Sequence, residues 1–259
     1  MIGQDAAPLV LEVGSRLGVA SDPLAGMAEA GLVQLQRQPA EALGDGAPTL
    51  WHRHLATDLD SSLPLRVDWL NQFPGYQRWS QEQGQDTLPS QRLDDLLAGQ
   101  PLRLLRGDLR GRDIRVLTHG EQGLEQLAQL ELLELLSAPT PLQQDGTSLF
   151  ELGSWLAARG FVLHCFRQEN RRLLRPDGSD GNPYTARNQL VQLAAVFMPD
   201  PVGWIDLAPE RLAALAFLAH GFYRSSDLSQ RALQVLDQRD GGTRLERYRS
   251  YLDHTGFSG

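Results

Sequence analysis

The sequence predicts an α/β fold: a mostly parallel sheet with an antiparallel edge strand, followed by a C-terminal helical extension. Three observations carry that expectation. Short apolar runs alternate with helical segments through about the first 200 residues, which implies right-handed crossovers between parallel strands. The last two apolar runs have no clear helix between them, so they pair as an antiparallel hairpin at the edge. From residue 208 onward the apolar spacing is helical. The expected division is a sheet domain over residues 1–203 and a helical extension over 204–259.

Taken in order, LVLEV at Leu9–Val13 reads as a buried strand. Residues 21–30 read as a helix, with Ser21 or Asp22 as cap and Pro23 in the first turn. LVQLQ at 32–36 is a second strand, and the alternating LWHRHLA at 50–56 a third. Residues 57–90, rich in Ser, Gln, Pro and Gly with aromatics between, read as a long irregular insertion or lid. LRLLRGD at 102–108 is a strand ending in an acid, followed by a short helix over 110–119. Residues 132–136 form a strand, and 148–159 a helix closed by Gly160. FVLHCF at 161–166 and AAVFMPD at 194–200 are the last strands, joined by a loop over 167–188. Three helices follow, over 208–222, 226–238 and 243–254.

Composition narrows the function. Net charge is −8 and the pI about 5.2, which argues against nucleic acid as a partner, since phosphate binding wants a basic face. The chain contains no Lys, which excludes Schiff-base and P-loop lysine chemistry and leaves Arg for anion contacts. Cys165 is the single cysteine, so no internal disulfide forms. The stretch MIGQDAAPLVLEVG lacks the basic region and the long apolar run of a signal peptide. No window approaches 18 apolar residues, so no membrane span is expected. These features suit a cytoplasmic setting.

The chemistry starts in LVLEVGSRLG. In doubly wound sheets, ligands bind beyond the carboxyl ends of the strands, where strand order switches. Glu12 can accept hydrogen bonds from a ligand's amino or hydroxyl groups. Gly14 lets the backbone pass close to a ligand, and Gly18 opens the helix beside it. An ordinary strand and surface turn would look the same. The G-x-G-x-x-G fingerprint is absent, which counts against NAD or FAD. Asp108 ends its strand at the ligand face, where it is either a general base or the N-cap of the next helix. Arg106 shares a face with Asp108 and suits an ion pair or a substrate anion. His52 and His54 lie on one strand face, but no third ligand accompanies them, so no metal site is expected. His119 reads as a helix-end partner. WLNQFPGYQRW at 69–79 places four aromatics in a polar segment, either to stack on carbohydrate rings or to anchor the insertion. The apolar string at 212–222 reads as core or as a contact for a partner helix.

Further motifs follow in order: LVQLQRQP at 32–39, RLDDLL at 92–97, LRGDLRGRDIRVLTHGE at 105–121, the long segment 132–166, and LAAVFMPDP at 193–201. Together with LEVGSRLG they resemble the FkbM-type family of S-adenosylmethionine-dependent methyltransferases, over nearly the whole chain. The resemblance implies a Rossmann-like methyltransferase fold and the bacterial setting of the members with a helical tail. It implies S-adenosylmethionine as cofactor, with Glu12, Gly14, Gly18 and the position of Gln38 binding it, and Asp108, Asp113 and Glu134 serving the acceptor. The expected activity is O-methylation of a sugar or another small hydroxyl acceptor. The chain departs from the pattern at Gln38, where the family has an acid for the ribose hydroxyls, and at Gly107, Asp113 and Gln143. Those departures motivate an alternative: a methyltransferase-like domain that does not catalyse, serving as a binding or scaffold module in glycan or polysaccharide assembly. A homo-oligomer through the C-terminal helices is a further expectation.

Overall fold

The structure, a computed structural model, describes residues 7–14, 23–118, 129–175, 182 and 187–256. The strands are β1 (Leu9–Val13), β2 (Gln34–Gln38), β3 (Thr49–His54), β4 (Glu82–Leu88), β5 (Leu102–Gly107), β6 (Leu132–Ser137), β7 (Phe161–Arg172) and β8 (Gln189–Pro199). The helices are α1 (Pro23–Glu29), α2 (Val67–Leu70), α3 (Tyr76–Trp79), α4 (Leu93–Leu97), α5 (Asp113–Thr118), α6 (Leu149–Ala157), α7 (Pro209–Leu218), α8 (Ser226–Asp240) and α9 (Arg244–Thr255). The predicted caps at residues 21 and 22, Gly18 and His119 lie outside the described residues.

Six strands form one sheet in the order β2-β1-β5-β6-β8-β7. β2, β1, β5 and β6 run parallel; β8 is antiparallel to β6, and β7 is antiparallel to β8. The last two strands thus pair as an antiparallel hairpin at the edge of the sheet, as expected, with β7 outermost and β8 one place in. Burial explains the choice. Leu193 to Phe197 in β8 are buried on both faces, while β7 alternates exposed and half-buried residues. The doubly apolar strand takes the interior.

Helices cover both faces. α4, α5 and α6 pack on Leu9, Leu11, Val13, Leu105 and Leu133. α1, α7 and α8 pack on Val10, Leu104, Leu132 and Val196. The tail thus completes the core of the sheet. Arg211 of α7 ties it down, its Nε donating to Glu131 Oε1 at 2.9 Å. In α9 no residue is buried. Among the described residues no helix is long and apolar enough to cross a membrane.

The insertion is more ordered than its composition suggests. Residues 82–88 form β4, which pairs with β3 in a separate two-stranded sheet. Leu70, Phe73 and Tyr76 are buried with Leu59, Leu142 and Val191, so these aromatics anchor the segment to the domain. The loop expected over 167–188 is also shortened. β7 runs on to Arg172 and β8 starts at Gln189, because each supplies the backbone partners of the other.

Candidate functional site

The strand order reverses between β1 and β5. The connection after β1 places α1 on one face, and the connection after β5 places α5 on the other. At that switch the tips of the strands are tightly tied. Gly14 N donates to Gln38 O at 2.9 Å, and Asp108 N to Val13 O at 3.0 Å. Gly14 has φ +59°, and a Cβ there would sit 2.7 Å from the Asp108 carbonyl oxygen. At Gly107 a Cβ would lie 2.3 Å from the Val13 carbonyl oxygen. Both glycines are needed for β1 and β5 to approach.

Two clefts open beyond the strand ends, divided by the turn at Thr57–Leu59 and Asp60. The first, about 490 Å³, is lined by Gly14, Arg37, Gln38, Trp51, Asp60 and Arg110 among others. Its Trp51 is buried, and its Nε1 has no hydrogen-bond partner among the described residues. The second, about 350 Å³, is lined by Asp58, Asp108, Leu136, Tyr76, Trp79 and β7 residues among others. Beside it a small pocket of about 10 Å³, room for roughly one water, shares Asp108 and Gln192 and adds Asp113 and Ser137.

Arg110 holds the dividing turn. Its Nη1 donates to the carbonyls of Thr57 (3.2 Å), Asp58 and Asp60 (3.3 Å), and its Nε lies 3.0 Å from Asp108 Oδ2. Asp108 also accepts from Arg110 N at 2.9 Å. Its carboxylate is thus held by the loop that follows β5 and is well placed to orient a hydroxyl. Arg112 supports the other wall. It donates to Ala40 O (2.6 Å) and Leu43 O (2.7 Å) and lies 4.8 Å from the Trp51 ring centroid. Burial pushes its pKa down to about 10, so it stays cationic near neutrality. Asp113 is fully buried, and neither oxygen meets a donor on another residue. Desolvation raises its pKa to about 7, with Asp108 adding to the rise and Arg112 opposing it.

Glu12 and Glu134 face elsewhere. Parallel register aligns Arg37, Glu12, Arg106 and Glu134 in one row across β2, β1, β5 and β6. Arg37 Nε donates to Glu12 Oε2 at 2.8 Å, and Arg106 Nη1 to Glu12 Oε1 at 2.7 Å. Arg106 Nε lies 3.2 Å from Glu134 Oε2, which also accepts from the Tyr223 hydroxyl at 2.9 Å. Phe222, in the turn after α7, covers the Arg106 guanidinium, 5.1 Å from its centroid. The row is an alternating charge ladder under the C-terminal tail. Of the residues singled out in the sequence, Gly14 and Gln38 meet at the first cleft, Asp108 lines the second, and Asp113 sits beside it. Glu12 and Glu134 belong to the ladder.

His52 Nδ1 lies 3.2 Å from Glu82 Oε1, and His54 is buried beside Asp60, its pKa lowered chiefly by burial. No group of three His, Cys, Asp or Glu among the described residues converges as metal ligands would. Sequence reasoning missed Trp51, Asp60, Arg110 and Arg172. Only Arg110 left a trace, in the run RGDLRGR. No protein-family model matches the chain, and no curated protein or solved structure matches it.

Proposed function

We propose that the chain is an S-adenosylmethionine-dependent O-methyltransferase of the FkbM type, acting on a sugar or another small hydroxyl acceptor. The observation that carries this reading is the pair of clefts side by side at the strand-order switch, one on each side of the Thr57–Asp60 turn. The reversed β8 between β6 and β7 agrees with the mostly parallel methyltransferase sheet that the resemblance implies.

The first cleft fits a nucleoside-sized ligand by volume. Gln38 would hold the cofactor there, bonding ribose hydroxyls without the charge assistance of an acid. When bound, S-adenosylmethionine supplies an electrophilic methyl group. The chain's own part is alignment. The second cleft places an acceptor hydroxyl against Asp108, and the Arg110-held turn keeps the two ligands in register. A proton leaving the acceptor has the Asp108 and Asp113 pair nearby, with Asp113 titrating near neutrality.

A second reading, a non-catalytic binding or scaffold module, is favoured by one observation. The acids expected to act, Glu12 and Asp108, are both in ion pairs with arginines. Calorimetric titration with S-adenosylmethionine and S-adenosylhomocysteine decides between the two. The enzyme reading expects micromolar binding weakened about tenfold by Gln38→Ala, the loss of one or two hydrogen bonds. Absence of heat and of any thermal shift at millimolar ligand overturns it, since binding weaker than about −4 kcal/mol does not support turnover.

A further inference from the structure

We infer that the second cleft is built for an acidic sugar, with Arg172 receiving the carboxylate of a hexuronate. The inference rests on this cleft being the acceptor site of the reading above, and it names the acceptor's class.

The wall formed by the insertion is aromatic. Trp79 and Tyr76 line the cleft with their rings in edge contact, centroids 5.2 Å apart. Aromatic faces take the apolar C–H face of a pyranose. The edge hairpin adds amides to the lining, Gln168, Asn170 and Gln192. Planar amides and carboxylates suit paired sugar hydroxyls, and Asp58 and Asp108 add acceptors to the lining.

The backbone is shaped for this surface. β7 slips register between Arg167 and Asn170, and Gln168 within that bulge has φ +49°, a left-handed conformation that a non-glycine residue adopts at a cost. Bulges beside binding sites re-aim side chains, and here the strained residue lines the cleft.

The charge then selects the sugar. Arg172 is the one cation among the residues lining this cleft. Its Nη1 donates to the Arg171 carbonyl at 3.1 Å, and its Nε is buried with no hydrogen-bond partner among the described residues. No carboxylate of the described residues pairs with it. A guanidinium so placed, in hydrogen-bond reach of the Tyr76 hydroxyl and in the same lining as Asp58 and Asp108, offers a planar fork to a ligand carboxylate.

The test uses the full chain and three ligands: methyl glucuronide, its neutral methyl ester and methyl glucoside. Each is titrated and followed by ligand-observed NMR. The inference expects the glucuronide to bind about tenfold tighter than the ester or the glucoside, the scale of one charge-assisted hydrogen bond. Arg172→Gln should equalise the three. Equal binding of all three by the native chain, binding of none, or a preference that survives Arg172→Gln overturns it. The ester comparison needs no variant, so it decides even if Arg172→Gln fails to fold. The cofactor titration separates the two readings. Glucuronide preference without cofactor binding leaves an acidic-sugar site and removes the methyl transfer. Cofactor binding without that preference does the reverse.

Discussion

Burial of the Asp113 carboxyl, with no donor from another residue, lifts its pKa to about 7 from 3.8. The folded protein therefore holds this proton more tightly than the unfolded chain. The stabilisation is fully present below the unfolded value, falls as pH rises, and is lost above the folded value. Across that window it amounts to about 4 kcal/mol. Asp113→Asn, which is neutral at every pH, should raise the thermal midpoint at pH 8 by about 4 °C or more and change little at pH 4. Scanning calorimetry at the two pH values checks this. An equal shift at both would show that the carboxyl is not titrating in this way. At the same scale, the acids near the strand ends were legible in the sequence but their partners were not. Nothing in LEVG announces that Glu12 meets Arg37 and Arg106, because those contacts depend on the register of three strands. Gly107 looked like erosion of a motif; it is the residue that lets β5 approach the Val13 carbonyl.

Individual elements were legible where they carried their own signal. α6 starts with a full capping box: Ser148 Oγ accepts from Glu151 N at 3.2 Å, and Glu151 Oε2 accepts from Ser148 N at 2.8 Å. Ser148→Ala should lower stability by about 1 kcal/mol in urea unfolding with the slope unchanged. A neutral result would mean that packing of Leu149, Leu152 and Leu156 alone sets this helix. Elements that borrow their stability were not legible. β4 reads EQGQDTL, exposed along nearly its whole length, and exists because β3 pairs with it. The outer halves of β7 and β8 likewise have polar sequences. They are strands because a hairpin, once begun at the apolar end, satisfies their backbone groups.

For the whole molecule, the ladder joins the rim of the first cleft to the tail. Arg37, half exposed, lines that cleft, and Tyr223 closes the far end on Glu134. Breaking a buried pair strands a charge and costs roughly 3–5 kcal/mol, whereas removing both charges costs less. Glu12→Ala should therefore be severe, and adding Arg106→Leu should recover part of the loss, since Glu134 keeps Tyr223 and the nearby Arg167. Equilibrium unfolding of the two single variants and the double variant measures this. Strict additivity would show that Glu12 and Arg106 do not couple. The tail was expected as an extension. Its apolar face is instead half of the second core, so the sheet depends on it for cover.

The bulge in β7 has a second effect at the open side of the sheet. A strand of 12 residues with no neighbour on one side among the described residues is a template on which another chain could grow. The register slips after Leu163, Arg167 and Asn170 interrupt its row of outward amides and carbonyls, and Arg167, Glu169, Arg171 and Arg172 add charge along the same stretch. The distortion that turns Gln168 toward the cleft thus also guards the protein against aggregating edge to edge.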